Sequence, residues 1–246
     1  MNSIAMTTYN GLPFVREQLQ SIRMQMKAED ELIISDNGST DGTWEWLLEQ
    51  AQADPRLKPE RYLEQKGVIA NFGHALTLCR GDLIFLSDQD DVWLPGRLDK
   101  FVELFRESPR LVLAQADAEL IDGEGRVLAP SYFSLRRCGS GIWKNFYKNT
   151  WQGCSLCFRK GLLALALPFP KSIPMHDMWL GLIAEMTGEV CFLPLVLTRY
   201  RRHEHNESGL RPAGWRQVVQ WRIQLAAALV SKLSYIRHEQ RLSKRR

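Results

Sequence analysis

Short apolar segments alternate with amphipathic segments through the first half of this 246-residue chain, and this alternation limits its fold more than any other feature. The apolar segments that predict buried strands are residues 3–6, 31–36, 82–88 and 111–117. The segments between them carry apolar side chains at helical spacing. Because strands that alternate with helices usually form a parallel sheet covered on both faces, we predict an α/β fold with a mostly parallel central sheet.

The remaining segments are less regular. A weak strand is predicted near residues 61–64, a hairpin turn at residues 122–127, and one or two strands over residues 190–203. Residues 131–150 show no clear periodicity and are rich in aromatic and basic side chains. We interpret residues 131–150 as a mobile or acceptor-facing segment.

The composition is that of an ordinary globular protein, with 45% hydrophobic and 24% charged residues. Five cysteines without framework spacing favour reduced thiols. Cys154 and Cys157 form a lone CxxC, but neither a second ligand pair nor a thioredoxin-like context accompanies it. Buried structural cysteine is therefore a better interpretation of this pair than a zinc or redox site.

No apolar stretch is long enough to predict a membrane-spanning helix, and the first residues do not resemble a secretory signal. The expected compartment is the cytoplasm. Residues 215–246 carry eight Lys or Arg and one acidic residue, a net charge of +7, whereas residues 1–214 carry −3.

This basic C-terminal segment is also amphipathic. Apolar side chains recur at helical spacing, at Val218, Trp221, Leu225, Leu229, Leu233 and Ile236. Two interpretations stay open, and both can hold: the helix lies on an anionic membrane surface, or it packs on the domain. Nucleic-acid binding is disfavoured, because the charge is confined to the tail of an acidic body.

The strand over residues 82–88 ends in the acidic sequence SDQDD, residues 87–91. In an extended backbone Asp88 and Asp90 point to the same side. Crowded carboxylates repel one another, and two oxygen ligands on one side suit Mg²⁺ or Mn²⁺. The alternative is a solvated acidic turn.

A second strand ends in SDNGSTDGT, residues 35–43. Asp36 is a candidate acceptor for a nucleotide-base N–H, whereas Ser39, Thr40 and Asp41 are good helix-capping residues. Ligands bind beyond the carboxyl ends of strands in such sheets, so Asp36 and Asp88 are expected at one edge.

Together these motifs resemble the family 2 glycosyltransferases of the GT-A fold, over residues 3 to about 210. The resemblance implies a nucleotide-diphospho-sugar transferase domain over residues 1–210, with a basic amphipathic helix over 211–246. It implies that Asp36 reads a pyrimidine base and that Asp88 and Asp90 bind the metal. It further implies substrate contacts from the residues Thr8, Tyr9, Asn71, Asp88, Asp91, Trp179 and Arg202.

Later motifs extend the resemblance. QGCSLCFRKGLL, residues 152–163, is similar to the family segment that lines the donor-sugar pocket. In MHDMWL, Asp177 occupies the position of the catalytic base and His176 replaces the commoner acid before it. Without the resemblance Asp177 reads as a helix N-cap. In YRRHEHNESG, residues 200–209, His203 is implied as a third metal ligand or a diphosphate contact, whereas His205 reads as a surface residue.

The implied activity is an inverting, metal-dependent sugar transfer to a glycan or lipid-linked acceptor. The motif set looks most like bacterial rhamnosyltransferase-like members that build O-antigen or capsule, so dTDP-L-rhamnose is the first donor expected. A UDP-hexose donor, or a non-catalytic nucleotide-binding scaffold of the same fold, are the alternatives. Mn²⁺ or Mg²⁺ is the expected cofactor, and peripheral membrane contact is expected through the C-terminal helix.

Overall fold

The computed structural model describes residues 1–203 and 214–243. The predicted domain boundary at residues 210/211 and His205 lie outside these residues. The strands are β1 (Asn2–Thr8), β2 (Glu31–Asp36), β3 (Leu57–Arg61), β4 (Leu83–Ser87), β5 (Val92–Trp93), β6 (Leu111–Ile121), β7 (Val127–Ala129), β8 (Leu156–Arg159) and β9 (Glu189–Arg201). The helices are α1 (Phe14–Arg23), α2 (Thr43–Ala53), α3 (Val68–Leu78), α4 (Arg97–Glu107), α5 (Tyr132–Arg136), α6 (Ile142–Tyr147), α7 (Gly161–Ala166), α8 (His176–Thr187) and α9 (Trp215–Ser243).

The strands form one sheet in the order β3-β2-β1-β4-β8-β6-β9-β5, with β7 paired to β6. The first four strands in this order run parallel to one another. β8 runs antiparallel to both β4 and β6, whereas β9 is parallel to β6. The α/β prediction is confirmed: the sheet is parallel in its first half and mixed beyond β4.

Helices cover both faces of the sheet because side chains alternate along each strand. Ile4 and Met6 of β1 pack in one core with α1, α2 and α4, and Ala5 packs in the other with α3, α7 and α8. Leu225 and Leu229 of α9 join this second core. The described part of the C-terminal helix therefore packs on the domain.

Two segments differ from the sequence prediction in their local structure. β3 lies at Leu57–Arg61, so only Arg61 of the predicted residues 61–64 belongs to the strand, and residues 62–64 lie in the loop after it. Residues 131–150 contain α5 and α6, held by polar contacts such as those of Asn145, whose Oδ1 accepts hydrogen bonds from both N and Oγ1 of Thr150. Because polar side chains hold this segment, its apolar residues do not recur at a regular spacing, and the sequence shows no periodic pattern there.

Parallel pairing sets the position of the candidate acidic residues. Thr8 of β1 is in register with Asp36 of β2, and Met6 with Ser87 of β4. The carboxyl ends of β1, β2 and β4 therefore meet at one edge, as predicted. Among the described residues, no helix has the length and apolarity needed to cross a membrane.

Candidate functional site

A cleft of about 870 Å³ opens at this edge of the sheet. Its walls come from the ends of β1, β4 and β9, the loop before α3, residues 149–153 and the start of α8. Seven predicted site residues line it: Thr8, Tyr9, Asn71, Asp88, Asp90, Asp177 and Arg202. Residues from widely separated parts of the chain thus converge on one cavity.

Asp88 stands directly after β4, on the cleft wall. The side-chain amide of Gln18 fixes this turn by donating hydrogen bonds to Ser87 Oγ (2.7 Å) and to the Asp88 carbonyl (3.2 Å). Desolvation, followed by repulsion from Asp91, Asp90 and Asp177, raises the pKa of Asp88 well above its usual value. This carboxyl group therefore lacks the positive partner that its ionised form needs.

Asp91 is fully buried and does not line the cleft. Its Oδ1 accepts a hydrogen bond from the Arg201 backbone N–H at 3.0 Å. Burial, and then repulsion from Asp90, raise its pKa to about 7. Oxygen atoms of Asp88 and Asp91 and the Cys154 sulfur lie within 4.8 Å of one another. Burial also raises the pKa of Cys154 well above normal, which keeps it a neutral thiol.

Asp90 and His203 are brought together, as their shared metal prediction requires. His203 Nε2 lies 2.7 Å from Asp90 Oδ2, and its ring stacks on Phe14 with centroids 4.9 Å apart. Arg201 holds the same loop, donating from Nε to the Asp90 carbonyl at 2.8 Å. Of the two predicted ligands, Asp90 lines the cleft and His203 lies behind it.

The donor set fits a hard divalent cation. Carboxylate oxygens are the ligands that Mg²⁺ and Mn²⁺ favour, and Asp88 and Asp90 both reach the cleft. A cation there would relieve the repulsion that raises the pKa of Asp88. The neutral Cys154 thiol is a poor ligand for such an ion, so the two cleft carboxylates are the better donors.

Asp177 lies in the first turn of α8, where Met175 occupies the N-cap position. The alternative interpretation of Asp177 as an N-cap is therefore wrong. Its Oδ1 accepts hydrogen bonds from Asn149 Nδ2 (3.1 Å) and from the Met178 N–H (2.5 Å). Burial raises its pKa to about 6, which suits a group that removes a proton near neutral pH.

His176 lines the cleft beside Asp177 and is 3% exposed. Its ring stacks on Phe72 with centroids 4.2 Å apart, and within the described residues neither ring nitrogen has a hydrogen-bond partner. Burial lowers its pKa to about 3, so the imidazole is neutral. A Cβ at position 153 would lie 2.8 Å from its Nε2, so Gly153 is needed for this approach.

Asp36 stands outside the cleft lining. Its oxygens accept hydrogen bonds from Thr8 Oγ1 (3.0 Å), the Gly38 and Ser39 N–H groups (3.1 and 2.9 Å) and Ser39 Oγ (2.5 Å). The carboxylate therefore organises the turn after β2. The neighbouring Asn37 lines the cleft and accepts from the Gly67 N–H at 2.9 Å.

Trp179 also stands outside the cleft. It is 1% exposed, and its Nε1 donates to the Ala166 carbonyl at 2.9 Å within the core. Successive residues of a helix are rotated by about 100°, so a residue two positions after Asp177 faces away from it. This geometry explains why the predicted substrate contact of Trp179 is absent from the lining.

Several lining residues were missed by sequence reasoning, among them Lys66, Gln89, Tyr132, Arg136, Asn149, Trp151 and Tyr200. Tyr132, Arg136 and Asn149 belong to the unpatterned segment 131–150, whose aromatic and basic content was the available signal. Gln152 and Gly153, from the segment expected to line the donor pocket, do line the cleft.

Buried Arg97 was also missed. Its guanidinium carbon lies 4.4 Å from the Trp93 ring centroid, its Nη2 donates to the Cys154 carbonyl at 2.7 Å, and its Nη1 donates to Thr198 Oγ1. Burial lowers its pKa to about 10, which leaves it a cation next to the acidic cluster. Its position inside a helical sequence gave no sign of this role.

Comparison with known proteins adds a relative and two solved structures. The Escherichia coli protein "UDP-Glc:alpha-D-GlcNAc-diphosphoundecaprenol beta-1,3-glucosyltransferase WfgD" is 26% identical over 146 residues, 56% of this chain and 56% of that protein. Residues 1–349 of S. aureus TarS, solved with UDP-GlcNAc, superpose with a TM-score of 0.74 at 17% identity, covering 92% of this chain and 65% of that one. The mannosyltransferase PcManGT from Pyrobaculum calidifontis, solved with GDP-Man and Mn²⁺, gives 0.62 at 19%, covering 96% and 64%.

These likenesses confirm the GT-A fold. The chain spans 39% to 59% of the length of the first curated relatives that it matches. The family profile described as "Glycosyl transferase family 2" matches residues 3–162, more than half of the chain. The protein therefore belongs to glycosyl transferase family 2.

Proposed function

We propose that this protein is an inverting glycosyltransferase that moves a sugar from a nucleoside diphosphate to a hydroxyl group. The observation that carries the proposal is the meeting of Asp88 and Asp177 in one cleft, each with a raised pKa. Perturbed carboxyl groups that face a shared cavity are typical of catalytic sites. One carboxyl group serves the leaving diphosphate and the other the attacking hydroxyl.

Asp177 is the proposed catalytic base. In its ionised form it accepts the proton of the acceptor hydroxyl while the oxygen attacks the anomeric carbon and the nucleoside diphosphate departs. Asn149 orients the carboxylate through its 3.1 Å hydrogen bond to Oδ1. Attack from the side opposite the leaving group inverts the anomeric configuration.

Asp88 and Asp90 are the proposed ligands of Mn²⁺ or Mg²⁺, and His203 supports the site through its contact with Asp90. A bound divalent ion supplies charge stabilisation for the departing diphosphate. The mannosyltransferase PcManGT was solved with Mn²⁺, which supports a divalent ion in this fold. Arg202, which lines the cleft, is a proposed phosphate contact.

The remaining substrate contacts are proposed on position. Thr8, Tyr9 and Asn71 line the cleft and are proposed donor contacts, and Asn37 is added to them. Asp36 supports this side indirectly, by holding the turn that presents Asn37. Trp179 and Asp91 are left out, because both are buried away from the cleft.

The first donor to test is dTDP-L-rhamnose, on the strength of the SDQDDVW, HDMWL and YRRHEHNESG motifs. A UDP-hexose is the second candidate, since the printed name of WfgD specifies UDP-Glc and TarS was solved with UDP-GlcNAc. The WfgD name also specifies a diphosphoundecaprenol acceptor, which supports a glycan or lipid-linked acceptor here. Surface-polysaccharide synthesis in the cytoplasm, at the inner face of the membrane, is the proposed setting.

Calorimetric binding of dTDP and UDP, with and without Mn²⁺ or Mg²⁺, tests the proposal on wild type and on Asp88→Asn. Metal-dependent binding that Asp88→Asn weakens about 100-fold is expected, because the substitution removes a carboxylate ligand of the divalent ion that would hold the diphosphate. Absence of binding by either nucleotide with either metal would contradict the donor site. Binding without any transfer or hydrolysis of the sugar would favour the non-catalytic scaffold.

A further inference from the structure

We propose that α6 and the outer face of α9 form one surface that docks on an anionic lipid bilayer. The docking surface consists of Trp143 and Tyr147 on α6 and of Val219, Ile223 and Val230 on α9. These five side chains are exposed although all are apolar or aromatic. They are absent from the cleft lining, and the proposed transferase chemistry does not use them.

The two aromatic residues are the most exposed large hydrophobic side chains in the described part of the protein. Trp143 and Tyr147 are each 83% exposed, and they are four residues apart on α6. Residues with this spacing share one helix face. Trp and Tyr combine an apolar ring with a polar group and are favoured at the level of lipid headgroups.

α9 has two apolar stripes with different partners. Leu225 and Leu229 face the core. Val219, Ile223 and Val230 are 49%, 66% and 64% exposed and follow each other at helical spacing on a second, solvent-facing side. Packing on the domain thus satisfies only one face, and the second face stays in solvent.

Arg222 joins the two helices. Its Nη2 donates a hydrogen bond to the Tyr147 carbonyl at 3.0 Å. Arg222 is one turn from Val219, so the start of the exposed stripe of α9 lies near the end of α6 that carries Tyr147. The two apolar patches therefore form a single surface.

The positive charge around the docking surface indicates an anionic partner. Residues 137–148 carry three cations and no acidic residue, and residues 214–234 carry three cations and no acidic residue. Glu185 contacts the base of α6, but its Oε1 accepts hydrogen bonds from Gly141 N and Asn145 Nδ2. A basic, aromatic and aliphatic surface matches an anionic bilayer, whose headgroups attract Lys and Arg and whose acyl boundary accepts apolar side chains.

The docking surface lies beside the Asp177 end of the cleft. Leu135 and Arg136, the last residues of α5, line the cleft, and Arg136 Nη2 donates to the Asn149 carbonyl at 3.4 Å. Asn149 in turn contacts Asp177. Docking would turn the proposed base, Asp177, toward the bilayer, so that a lipid-linked hydroxyl reaches it. This consequence rests on the proposed function, whereas the docking surface itself does not.

Co-sedimentation with vesicles tests the surface. Wild type is expected to bind phosphatidylcholine/phosphatidylglycerol vesicles at 3:1 and to bind pure phosphatidylcholine vesicles at least about 10-fold more weakly, because each nearby Lys or Arg adds to the attraction. Trp143→Ala/Tyr147→Ala is expected to lower the partition coefficient for the mixed vesicles about 10-fold or more, through lost apolar contact. Lys144→Gln/Lys148→Gln should lower it by a similar factor and remove most of its salt dependence.

The matched control is Met24→Ala/Leu48→Ala. Met24, directly after α1, and Leu48 of α2 are exposed, at 73% and 41%, and these helices pack on the other face of the sheet. This control should bind vesicles like wild type. Equal loss in the control, equal binding to both vesicle types, or unchanged binding of Trp143→Ala/Tyr147→Ala would overturn the proposal.

Two further readouts separate the outcomes. Circular dichroism and calorimetric nucleotide binding should be unchanged in all three variants, so failure of vesicle binding is distinguishable from failure of the donor site. If vesicles do not bind and Trp143→Ala/Tyr147→Ala raises only the KM for a soluble glycan acceptor, the aromatic pair stacks on sugar rings and the bilayer proposal is rejected.

Discussion

Asp36 and Asp177 are both buried carboxyl groups at the same edge of the sheet, yet their surroundings differ. Asp36 accepts hydrogen bonds from two hydroxyl groups and two backbone N–H groups of its own turn and of β1. Asp177 accepts hydrogen bonds from Asn149 Nδ2 and the Met178 N–H, but burial outweighs these donors and raises its pKa to about 6. Hydrogen-bond donors supplied by the fold, more than position at a strand or helix end, therefore distinguish a structural carboxylate from a reactive one.

The largest effect is expected for the substitution Asp177→Asn. Asparagine keeps the shape and the hydrogen bond at Oδ1 but cannot take a proton, so kcat is expected to fall about 10²–10⁴-fold. Nucleotide affinity should change little, because the diphosphate is served by the Asp88 side of the cleft. Steady-state rates and calorimetry on the same preparation measure both. A variant that keeps a tenth or more of the wild-type kcat would remove Asp177 from the mechanism.

The next largest effect is expected in the pH dependence of the unfolding free energy. The folded pKa of Asp177 is raised, so its contribution is fully present below the ordinary carboxyl pKa of about 4 and is lost as pH rises through about 6. Asp177→Asn, which cannot ionise, should therefore be more stable than wild type by about 1–3 kcal/mol at pH 8.

At pH 4 this difference should be close to zero. Urea unfolding of the metal-free proteins at the two pH values measures it. A stability difference between Asp177→Asn and wild type that does not vary with pH would mean that Asp177 does not titrate as its burial implies.

The smallest effect is expected for Asp36, whose carboxylate accepts hydrogen bonds from its own turn and from β1. Asp36→Asn replaces one accepting oxygen by an amide that cannot accept from Thr8 or Ser39, and a lost buried hydrogen bond costs about 1–2 kcal/mol. We expect a lower unfolding free energy at neutral pH and a kcat within a few-fold of wild type. A loss of kcat as large as that of Asp177→Asn, with unchanged stability, would instead give Asp36 a direct role at the substrate.

Sequence reasoning predicted the parallel half of the sheet well because its signals are local. β2 and β4 are continuous apolar runs that end in carboxylates, and parallel pairing brings those ends together. The segment holding α5 and α6 could not be predicted in this way. Its structure depends on Asn145 and on contacts with Glu185 of α8, a residue far away in the chain.

The candidate site divides along the same line. The α/β class, the family motifs and the placement of Asp36, Asp88 and Asp177 at element ends follow from the amino-acid sequence, because each depends on neighbouring residues. The hydrogen-bond donors around Asp36, the contact of Asp90 with His203 and the burial of Trp179 in the core follow only from the folded chain. The reason is physical: the partner that satisfies, charges or buries a side chain usually arrives from a distant segment, and chain folding alone brings it there.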